Sequence, residues 1–252
     1  MTQDSDKITL ANKSAQLPEV FHSLQGEGPA VGRPSIFVRL SGCNLTCQWC
    51  DTPYTWNWIG STHEHQSAIK FDKAREQSRL FIDEVVALVR RFDCSNIVLT
   101  GGEPLAQGEG LQHLLEGLTS MQPYVVDVET NATLIPDAGL DAFIGTYVCS
   151  PKLANSGIVA KHRLKADALA WFANSHKAWF KFVVQDAADL DEVNALVSEV
   201  GLRKDRIFLM PQALSFDELT RNERKVAALA LEHGYRYSDR LHLRLYGGGR
   251  GV

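Results

Sequence analysis

Three cysteines fall within eight residues of the chain and could hold a metal centre together. Cys43, Cys47 and Cys50 have the spacing C-x3-C-x2-C. Three thiolates on one short loop can ligate three irons of a cubane iron–sulfur cluster, whose full set of protein ligands would be four. The remaining iron would be open to a small molecule, as an open coordination position is in catalytic metal sites. The spacing therefore predicts a cluster with one iron available to a ligand.

A zinc ion is the alternative occupant of the three thiolates. Zinc would need a fourth protein ligand, and His63 or His65 in the polar segment that follows could supply one. Cys94 and Cys149 lie in or beside apolar segments, so we expect them to be buried small side chains rather than ligands. An odd total of five cysteines in a long chain also argues against a disulfide framework.

The overall composition is that of an average globular protein. The chain has 252 residues, with 26 basic and 30 acidic side chains and a net charge of −4. This balance argues against direct nucleic-acid binding, because neutralising phosphates requires concentrated basic charge. No apolar run is long enough to span a membrane, and the first 17 residues lack the apolar segment of a secretory signal. We therefore expect a cytoplasmic protein with a polar arm over residues 1–17 and a single domain over 18–252.

Short apolar segments alternate with helical patterns along the chain. The predicted strands are residues 35–40, 96–100, 124–128, 146–149, 179–184, 206–210 and 240–245. The predicted helices are residues 79–92, 111–118, 189–200 and 216–233. Strand-then-helix units of this kind specify a parallel sheet with right-handed crossovers. Six such units, about 30 residues apart, predict an α/β fold arranged as a partial barrel. Residues 59–78 are polar and are predicted to be an inserted loop.

The residues that could do chemistry come directly after predicted strands. The cysteines follow the first strand, residues 101–104 the second, 129–131 the third, 150–152 the fourth and 211–212 the sixth. Ligands bind at the carboxyl ends of the strands in parallel α/β folds. The order of these segments therefore predicts one shared site.

The cysteine motif resembles that of the radical S-adenosylmethionine (SAM) superfamily, because an aromatic residue also precedes the last cysteine. Gly101-Gly102-Glu103-Pro104 resembles the second motif of that superfamily, whose backbone and glutamate meet the SAM amino group; on its own it would be a strand-ending turn. The resemblance implies a TIM-like (β/α)6 partial barrel, a [4Fe–4S] cluster, SAM bound at the open iron and a 5′-deoxyadenosyl radical.

An ordered series of segments narrows the resemblance to one family. Residues 19–28, 32–34, 37–40, 42–45, 50–52, 129–131, 150–152 and 240–242 are together similar to 7-carboxy-7-deazaguanine synthases. That family converts 6-carboxy-5,6,7,8-tetrahydropterin to 7-carboxy-7-deazaguanine with loss of ammonia, a step towards queuosine. The resemblance also implies Mg²⁺, an electron donor such as flavodoxin or ferredoxin, and a homodimer.

The resemblance implies a set of substrate-binding residues: Leu24, Gln25, Gly26, Glu27, Arg39, Thr100 and His242. A pterin edge offers alternating donors and acceptors, which a glutamine amide and a carboxylate can pair. An arginine fork can bind the substrate carboxylate in two places. Alternatives remain: a polar turn at residues 25–28, a surface salt bridge at Arg39, and a structural role for His242, which lies opposite the leucines of the predicted last strand.

The resemblance also implies residues that contact the cofactors. The predicted SAM contacts are Trp49, Cys50, Asp51, Gly102, Glu103, Glu129, Asn131, Ser150, Pro151, Lys152, Met210, Pro211 and Gln212. Thr52 matches a position that binds Mg²⁺ through its hydroxyl, although a lone threonine needs substrate and water to complete the octahedron. Without the resemblance, Thr52 would be a turn residue and Lys152 a solvated loop residue.

Two other classes of function share part of the pattern. A glycyl-radical activating enzyme has the same cysteine spacing but acts on a protein partner, and it would lack the pattern of residues 25–28 and Arg39. A non-catalytic zinc or RNA-binding module would be colourless, and the net charge of −4 argues against its RNA form.

Overall fold

A computed structural model of the chain describes residues 6–252. Within them the strands are β1 (Lys7–Ser14), β2 (Leu17–Pro18), β3 (Val20–Leu24), β4 (Pro34–Leu40), β5 (Gln77–Phe81), β6 (Asn96–Gly101), β7 (Val125–Thr130), β8 (Thr146–Cys149), β9 (Ala178–Val184), β10 (Ile207–Pro211) and β11 (Arg236–Tyr237). The α-helices are α1 (Lys73–Glu76), α2 (Ile82–Val89), α3 (Gly108–Thr119), α4 (Ala138–Asp141), α5 (Ala160–Arg163), α6 (Ala166–Asn174), α7 (Ala187–Val200), α8 (Phe216–His233) and α9 (Leu241–Tyr246).

The strands form one sheet whose larger part is parallel. Its order is β11-β10-β9-β8-β7-β6-β4, and each neighbouring pair in this run is parallel. The run ends at the two-residue β11 on one side and continues into antiparallel β1 on the other, so the barrel is open. The six longer parallel strands confirm the predicted partial (β/α)6 barrel. The carboxyl ends of these strands share one edge, where residues that follow them meet.

The N-terminal segment differs from the predicted loose arm over residues 1–17. Residues 7–14 form β1, which pairs antiparallel with β4 and β5, and residues 17–18 pair with β1 as β2. Ile8, Leu10 and Ala11 are fully buried. These apolar side chains lie among polar neighbours, so the average polarity of the segment hid a strand. Residues 1–5 lie outside the described part, and a single domain over 18–252 stays a prediction.

The main core lies between the outward face of the sheet and the helices that cover it. Side chains from β4, β6, β7, β9 and β10 meet those of α2, α3, α7 and α8 in one apolar cluster. The longest helix, α8, begins where Ser215 accepts a hydrogen bond from the backbone of Glu218 at 3.2 Å, and it ends at Gly234 with φ +67°. These are the signals that start and stop helices. Its observed bounds equal the predicted 216–233.

Two predicted elements are wrong. The predicted helix 79–92 is split, because residues 77–81 pair with β1 and the helix starts only at Ile82. The predicted strand 240–245 is the helix α9, which ends at Gly247 with φ +69°. The predicted loop 59–78 is irregular for most of its length but ends in α1 and the first residues of β5. Among the described residues, no helix combines the length and apolar character needed to cross a membrane.

Candidate active site

A cavity of about 490 Å³ lies at the carboxyl ends of the parallel strands. Most of the predicted site residues line it, although they come from segments spread over the whole chain. These are Leu24, Gln25, Gly26, Glu27, Arg39, Cys43, Cys47, Trp49, Cys50, Asp51, Thr52, Thr100, Gly102, Glu129, Asn131, Ser150, Lys152, Met210, Gln212 and His242. Glu103, Pro151 and Pro211 do not line the cavity, because they are buried behind its wall.

Three free thiols face the cavity from the loop after β4. Cys43, Cys47 and Cys50 contribute them, and none is more than partly exposed. Burial raises the pKa of Cys43 and Cys47 to about 12, and it raises the pKa of Cys50 as well. A coordinated cation removes this penalty, because a metal-bound thiol is deprotonated outright. Three soft sulfur donors on one wall fit an iron–sulfur cluster with an open iron.

The zinc alternative required a histidine turned towards these thiols. His65 instead uses both ring nitrogens within the protein, with Nε2 2.8 Å from the Cys50 carbonyl oxygen and Nδ1 2.8 Å from the Ser67 hydroxyl. His63 is exposed and packs edge-on to Trp56. In the part of the chain that the structure describes, no three His, Cys, Asp or Glu side chains surround a single ion position. Because both ring nitrogens of His65 are engaged within the protein, that residue does not supply the fourth ligand that zinc needs.

The backbone after β6 lies directly against the start of the cysteine loop. Gly102 donates to the carbonyl of Leu40 at 3.0 Å, and Glu103 donates to the carbonyl of Gly42 at 2.9 Å. A Cβ at Gly102 would lie 1.9 Å from the Gly42 oxygen, and Gly101 has φ +125°. Only glycines allow the two segments to approach this closely.

Glu103 ties two loops together beneath the cavity. Its Oε1 accepts hydrogen bonds from Leu105 N at 3.0 Å and the Thr130 hydroxyl at 2.8 Å, and its Oε2 accepts from Asn131 N at 2.7 Å. The side chain is fully buried, and burial raises its pKa against the opposing effect of these bonds. In this arrangement the carboxylate positions the loops after β6 and β7 rather than facing the predicted SAM site.

Buried ion pairs hold Glu27 at the cavity wall. Lys181 on β9 donates to Glu27 Oε2, and Arg240 donates to Glu27 Oε1 at 3.0 Å while also pairing with Asp51. Burial acts to raise the pKa of Glu27, but Lys181, Arg240 and His242 together hold that pKa well below its usual range. Glu27 is therefore an oriented carboxylate that stays ionised at neutral pH.

Gln25 is held beside Glu27 by a second polar group. Its amide donates to Glu129 Oε1 at 3.1 Å, and the Thr100 hydroxyl donates to Glu129 Oε2 at 2.7 Å. The side-chain oxygen of Gln25 accepts a hydrogen bond from the backbone N–H of Glu27 at 3.1 Å. These bonds fix the orientation of the Gln25 amide, because its nitrogen points to Glu129 and its oxygen to Glu27.

Arg39 is a partly buried cation at the cavity rather than part of a surface salt bridge. Its Nε lies 3.0 Å from Glu19 Oε1. Glu19 is fully buried and also accepts hydrogen bonds from the Tyr54 hydroxyl at 2.9 Å and the Gly251 backbone at 3.1 Å. These partners hold the Arg39 guanidinium against the wall, where an anionic ligand could meet it.

His242 reaches the cavity from the first turn of α9, not from a strand. The backbone of Leu241 donates to the Gly26 carbonyl at 3.0 Å, and a Cβ on Gly26 would lie 2.4 Å from His242 Nδ1. His242 Nε2 lies 3.9 Å from Glu27 Oε1. Burial lowers the pKa of His242, so its ring is neutral at pH 7.

Comparisons with known proteins agree with this geometry. Residues 37–148 match the Radical SAM superfamily. The chain is 37% identical to the 7-carboxy-7-deazaguanine synthase of Pyrobaculum aerophilum over 243 residues, which cover 96% of this chain and 99% of that protein. It is 36% identical to the enzyme of that name from Halobacterium salinarum, with 90% and 89% covered. The chain belongs to the 7-carboxy-7-deazaguanine synthase family. Its members are radical SAM enzymes, which work with SAM and a [4Fe–4S] cluster.

A solved structure of a similar protein has the same fold as this family member. QueE from Escherichia coli superimposes with a TM-score of 0.67 at 22% sequence identity, covering 96% of this chain and all of that chain. At this identity the likeness shows the fold alone.

Several predicted SAM-binding residues line the same cavity as the thiols, among them Trp49, Lys152 and Met210. Trp49 packs with Val183 and Met210 in a small apolar cluster. Lys152 donates to the Ser150 hydroxyl at 3.0 Å, and its ammonium lies 5.8 Å from the centre of the Trp49 ring. This wall offers an apolar surface and a cation side by side, which suits an adenine ring and a carboxylate.

Thr52 lies at the cavity between the thiols and the charged residues. Its hydroxyl is 3.6 Å from the Cys50 sulfur. Its carbonyl oxygen, just before the short 3₁₀ helix Pro53–Thr55, accepts a hydrogen bond from the Thr55 hydroxyl. Asp51 next to it pairs with Arg240. The hydroxyl could serve a cation only if other oxygen ligands arrive with a substrate.

Four charged residues that line the cavity were missed by sequence reasoning: Glu19, Lys181, Arg240 and Arg250. Lys181 interrupts the apolar run 179–184, and a lysine inside such a run is a signal for a buried charge with a partner. Its neighbours Phe180 and Phe182 pack in the main core, whereas Lys181 lines the cavity from the other face of β9. Glu19 and Arg240 lie in segments that carry the family resemblance, but neither was given a role. Their partners, distant in sequence, could not be identified without the fold.

Proposed function

We propose that this chain converts 6-carboxy-5,6,7,8-tetrahydropterin to 7-carboxy-7-deazaguanine with loss of ammonia. The observation that carries the proposal is the shared cavity, in which the three-thiol loop faces the oriented set of Gln25, Glu27 and Arg39. Relatives of nearly the same length bear the name of that enzyme. Family membership favours this activity over a glycyl-radical activating enzyme and over a zinc or RNA-binding module.

The pterin edge binds to the two polar groups at the base of the cavity. Ionised Glu27 accepts hydrogen bonds from the amino and ring N–H groups, which only an acceptor can satisfy. Gln25 and the backbone of Leu24 and Gly26 complete the edge. Thr100 on β6 and neutral His242 on α9 also line the cavity and contact the ring.

The substrate carboxylate binds at Arg39, whose guanidinium can form two parallel hydrogen bonds with it. The hydroxyl of Thr52 binds Mg²⁺, and the substrate and water supply the remaining oxygen ligands of the ion. Arg39 and Thr52 line the same cavity as the three thiols, and they orient the substrate carboxylate there.

Cys43, Cys47 and Cys50 ligate the [4Fe–4S] cluster, and Lys152, Ser150 and Gly102 border the bound SAM. When bound, cluster and SAM supply a 5′-deoxyadenosyl radical. Asp51, Glu129, Asn131 and Gln212 are further SAM contacts. The side chains of this chain position the reactants and exclude water, and positioning of this kind supplies a large part of the rate.

The remaining features of the proposal concern the cellular setting. The protein is cytoplasmic, a homodimer with one domain per chain, and it receives electrons from a flavodoxin or ferredoxin. The product enters the biosynthesis of queuosine or related deazapurines. The resemblance of the sequence to the family implies the electron donor and the homodimer.

The test is turnover by the anaerobically reconstituted protein. Protein with cluster is mixed with SAM, reductant, Mg²⁺ and carboxytetrahydropterin, and the deazapurine and ammonia are quantified. We expect both products in equal amounts and a lower rate without Mg²⁺. A fully loaded protein that leaves the pterin unchanged would refute the activity, while an unchanged rate without Mg²⁺ would refute only the role of Thr52.

A further inference from the structure

Residues 59–71, here called the 59–71 loop, have no role in the function described so far. Two backbone hydrogen bonds close the loop at its base. Ile59 N donates to the Phe71 carbonyl oxygen at 2.9 Å, and Phe71 N donates to the Asn57 carbonyl oxygen at 3.0 Å. Lys70 also connects the two ends of the loop, because its ammonium donates to the Asn57 side chain at 2.7 Å and to the Ser61 hydroxyl at 3.1 Å. The loop is thus an ordered structure despite its polar sequence.

The 59–71 loop contacts the cysteine loop through two consecutive residues. Gln66 N donates to the carbonyl of Gln48 at 2.8 Å, and His65 Nε2 lies 2.8 Å from the carbonyl of Cys50. His65 Nδ1 accepts from the backbone N–H of Ser67 at 3.1 Å, so Nε2 is the ring nitrogen that can donate. His65 therefore donates to Cys50, and both contacts go to backbone carbonyls of the cysteine loop.

The opposite side of the same segment is held by the loop after β8. Gln48 N donates to the Ser156 carbonyl at 3.0 Å. The side chains of Gln48 and Trp49 both donate to the Asn155 carbonyl, at 2.9 and 2.8 Å. The segment between Cys47 and Cys50 is therefore held between two loops, the 59–71 loop and the loop after β8.

His65 is a buried residue within an otherwise exposed segment, residues 62–69. It is 9% exposed and packs edge-on to the buried Trp56 at 6.1 Å, whereas Gln66, Ser67 and Ala68 are exposed. Side chains of the 59–71 loop, among them His65 and Phe71, also line the cavity that holds the thiols. The loop is therefore part of the wall of the cavity that the thiols face.

We propose that the 59–71 loop is a cover that shields the iron–sulfur cluster from solvent, and that His65 holds this cover closed by donating to the Cys50 carbonyl. His65 is a positioning residue, since it touches the backbone of a ligand and not the cluster itself. The proposal depends on a cluster at the three cysteines and not on pterin chemistry.

The test compares His65→Ala, His65→Gln and His63→Ala in anaerobically loaded protein. The readout is the rate at which the brown absorbance is lost on exposure to air and to an iron chelator. We expect His65→Ala to lose its cluster about tenfold faster, the effect of removing one hydrogen bond from the closed state. The Gln variant, whose amide can still donate, should recover most of the protection. The exposed His63 also packs on Trp56, so its variant should behave as wild type.

A second measurement tests the proposal even if the His65→Ala protein does not take up iron. Apo-protein is labelled with iodoacetamide, and modification of Cys47 and Cys50 is followed by mass spectrometry, with Cys94 as the internal reference and circular dichroism as the check of folding. Faster labelling in His65→Ala than in His63→Ala supports the cover. Equal rates, or equal cluster loss in the loaded proteins, overturn it. Neither readout uses the pterin, so an inactive wild-type enzyme would leave this result standing on its own.

Discussion

Lys181 and Glu27 lie 154 residues apart in the chain, and their side chains form a buried ion pair at the wall of the cavity. Arg240 binds the other oxygen of the same carboxylate. A buried carboxylate with both oxygens engaged by cations has its orientation and its charge set before any ligand arrives. This pre-orientation is the physical basis on which the site can select a ligand edge rich in N–H donors.

Replacing Lys181 by Met should weaken binding of the pterin substrate. Glu27 would lose one of its two cations while keeping Arg240, so we expect the low end of the penalty for breaking a buried charge pair. That is about 2 kcal/mol, or roughly a 30-fold higher KM. Steady-state kinetics and SAM binding by calorimetry provide the measurement, with Lys181→Arg as the charge-conserving control. An unchanged KM in the Met variant, or an equal loss of SAM affinity, would contradict the assignment.

His242 should make the stability of the apo-protein fall in mildly acidic solution. Burial, aided by Arg240, lowers its folded pKa below 6.5 against the opposing effect of Glu27 and Asp51. The unfolded chain therefore binds more protons below pH 6.5, and the free energy of unfolding decreases as the pH falls through that window. Urea unfolding at about pH 5 and pH 7.5 should show a smaller difference for His242→Gln than for wild type. His162→Gln, at an exposed position, should keep the wild-type difference.

Gly26→Ala should disturb the docking of α9. The new methyl would lie 2.4 Å from His242 Nδ1 and 3.1 Å from the His242 backbone nitrogen. The imidazole could rotate away, but the backbone nitrogen could move only if α9 shifted. We expect a loss of about 1–3 kcal/mol in the free energy of unfolding, together with a raised KM for the pterin. Gly108→Ala is the matched control, because its Cβ would only reach ordinary contact with Leu140 at 3.8 Å. Wild-type stability in Gly26→Ala would show that α9 is not held there.

Glu103→Gln tests whether this carboxylate is structural. The amide nitrogen of glutamine cannot accept the bonds now made by Leu105, Thr130 or Asn131, so we expect the free energy of unfolding to fall by about 2 kcal/mol. Chemical denaturation measures this, and the exposed Glu199→Gln serves as the control. If Glu103→Gln unfolds like wild type but no longer binds SAM, the carboxylate contacts the cofactor as the family resemblance implies.

Cys47→Ala should abolish both the brown colour and turnover, because two remaining thiolates cannot hold the cluster in the geometry that leaves one iron open. Iron and sulfide analysis with absorption spectroscopy provides the measurement. Cys94→Ala is the control, since Cys94 does not line the cavity and donates to the carbonyl of Pro34 at 3.4 Å. Wild-type iron content in Cys47→Ala would refute the ligand assignment.

Elements defined by local signals were predictable from the sequence. The bounds of α8 follow from Ser215 and Gly234 at its ends, and the parallel strands follow from short apolar segments between helices. Elements defined by distant partners were not. Residues 77–81 are strand because β1 pairs with them, and the alternation in residues 241–246 fits a strand as well as it fits the amphipathic turn that the structure has.

The same distinction applies to the site. The thiols and the glycines after β6 were predictable because their spacing carries the chemistry. The partners of Glu27 were not, since Lys181 and Arg240 approach it only when β9 and the segment before α9 reach the same edge of the sheet. Long-range ion pairs leave no periodic signal in the sequence.

Gly102 and Gly42 also limit how the protein can vary. The backbones of the two glycines are in contact, and a Cβ on Gly102 would overlap the Gly42 carbonyl oxygen. The cysteine loop and the segment after β6 are therefore held together as one unit. A substitution at Gly102 would not remove a functional group, but it would push the thiols away from the wall where SAM is proposed to bind. What these glycines set is therefore a spacing between two loops, and a mutational scan should find Gly102 intolerant of every other residue although it has no side chain to lose.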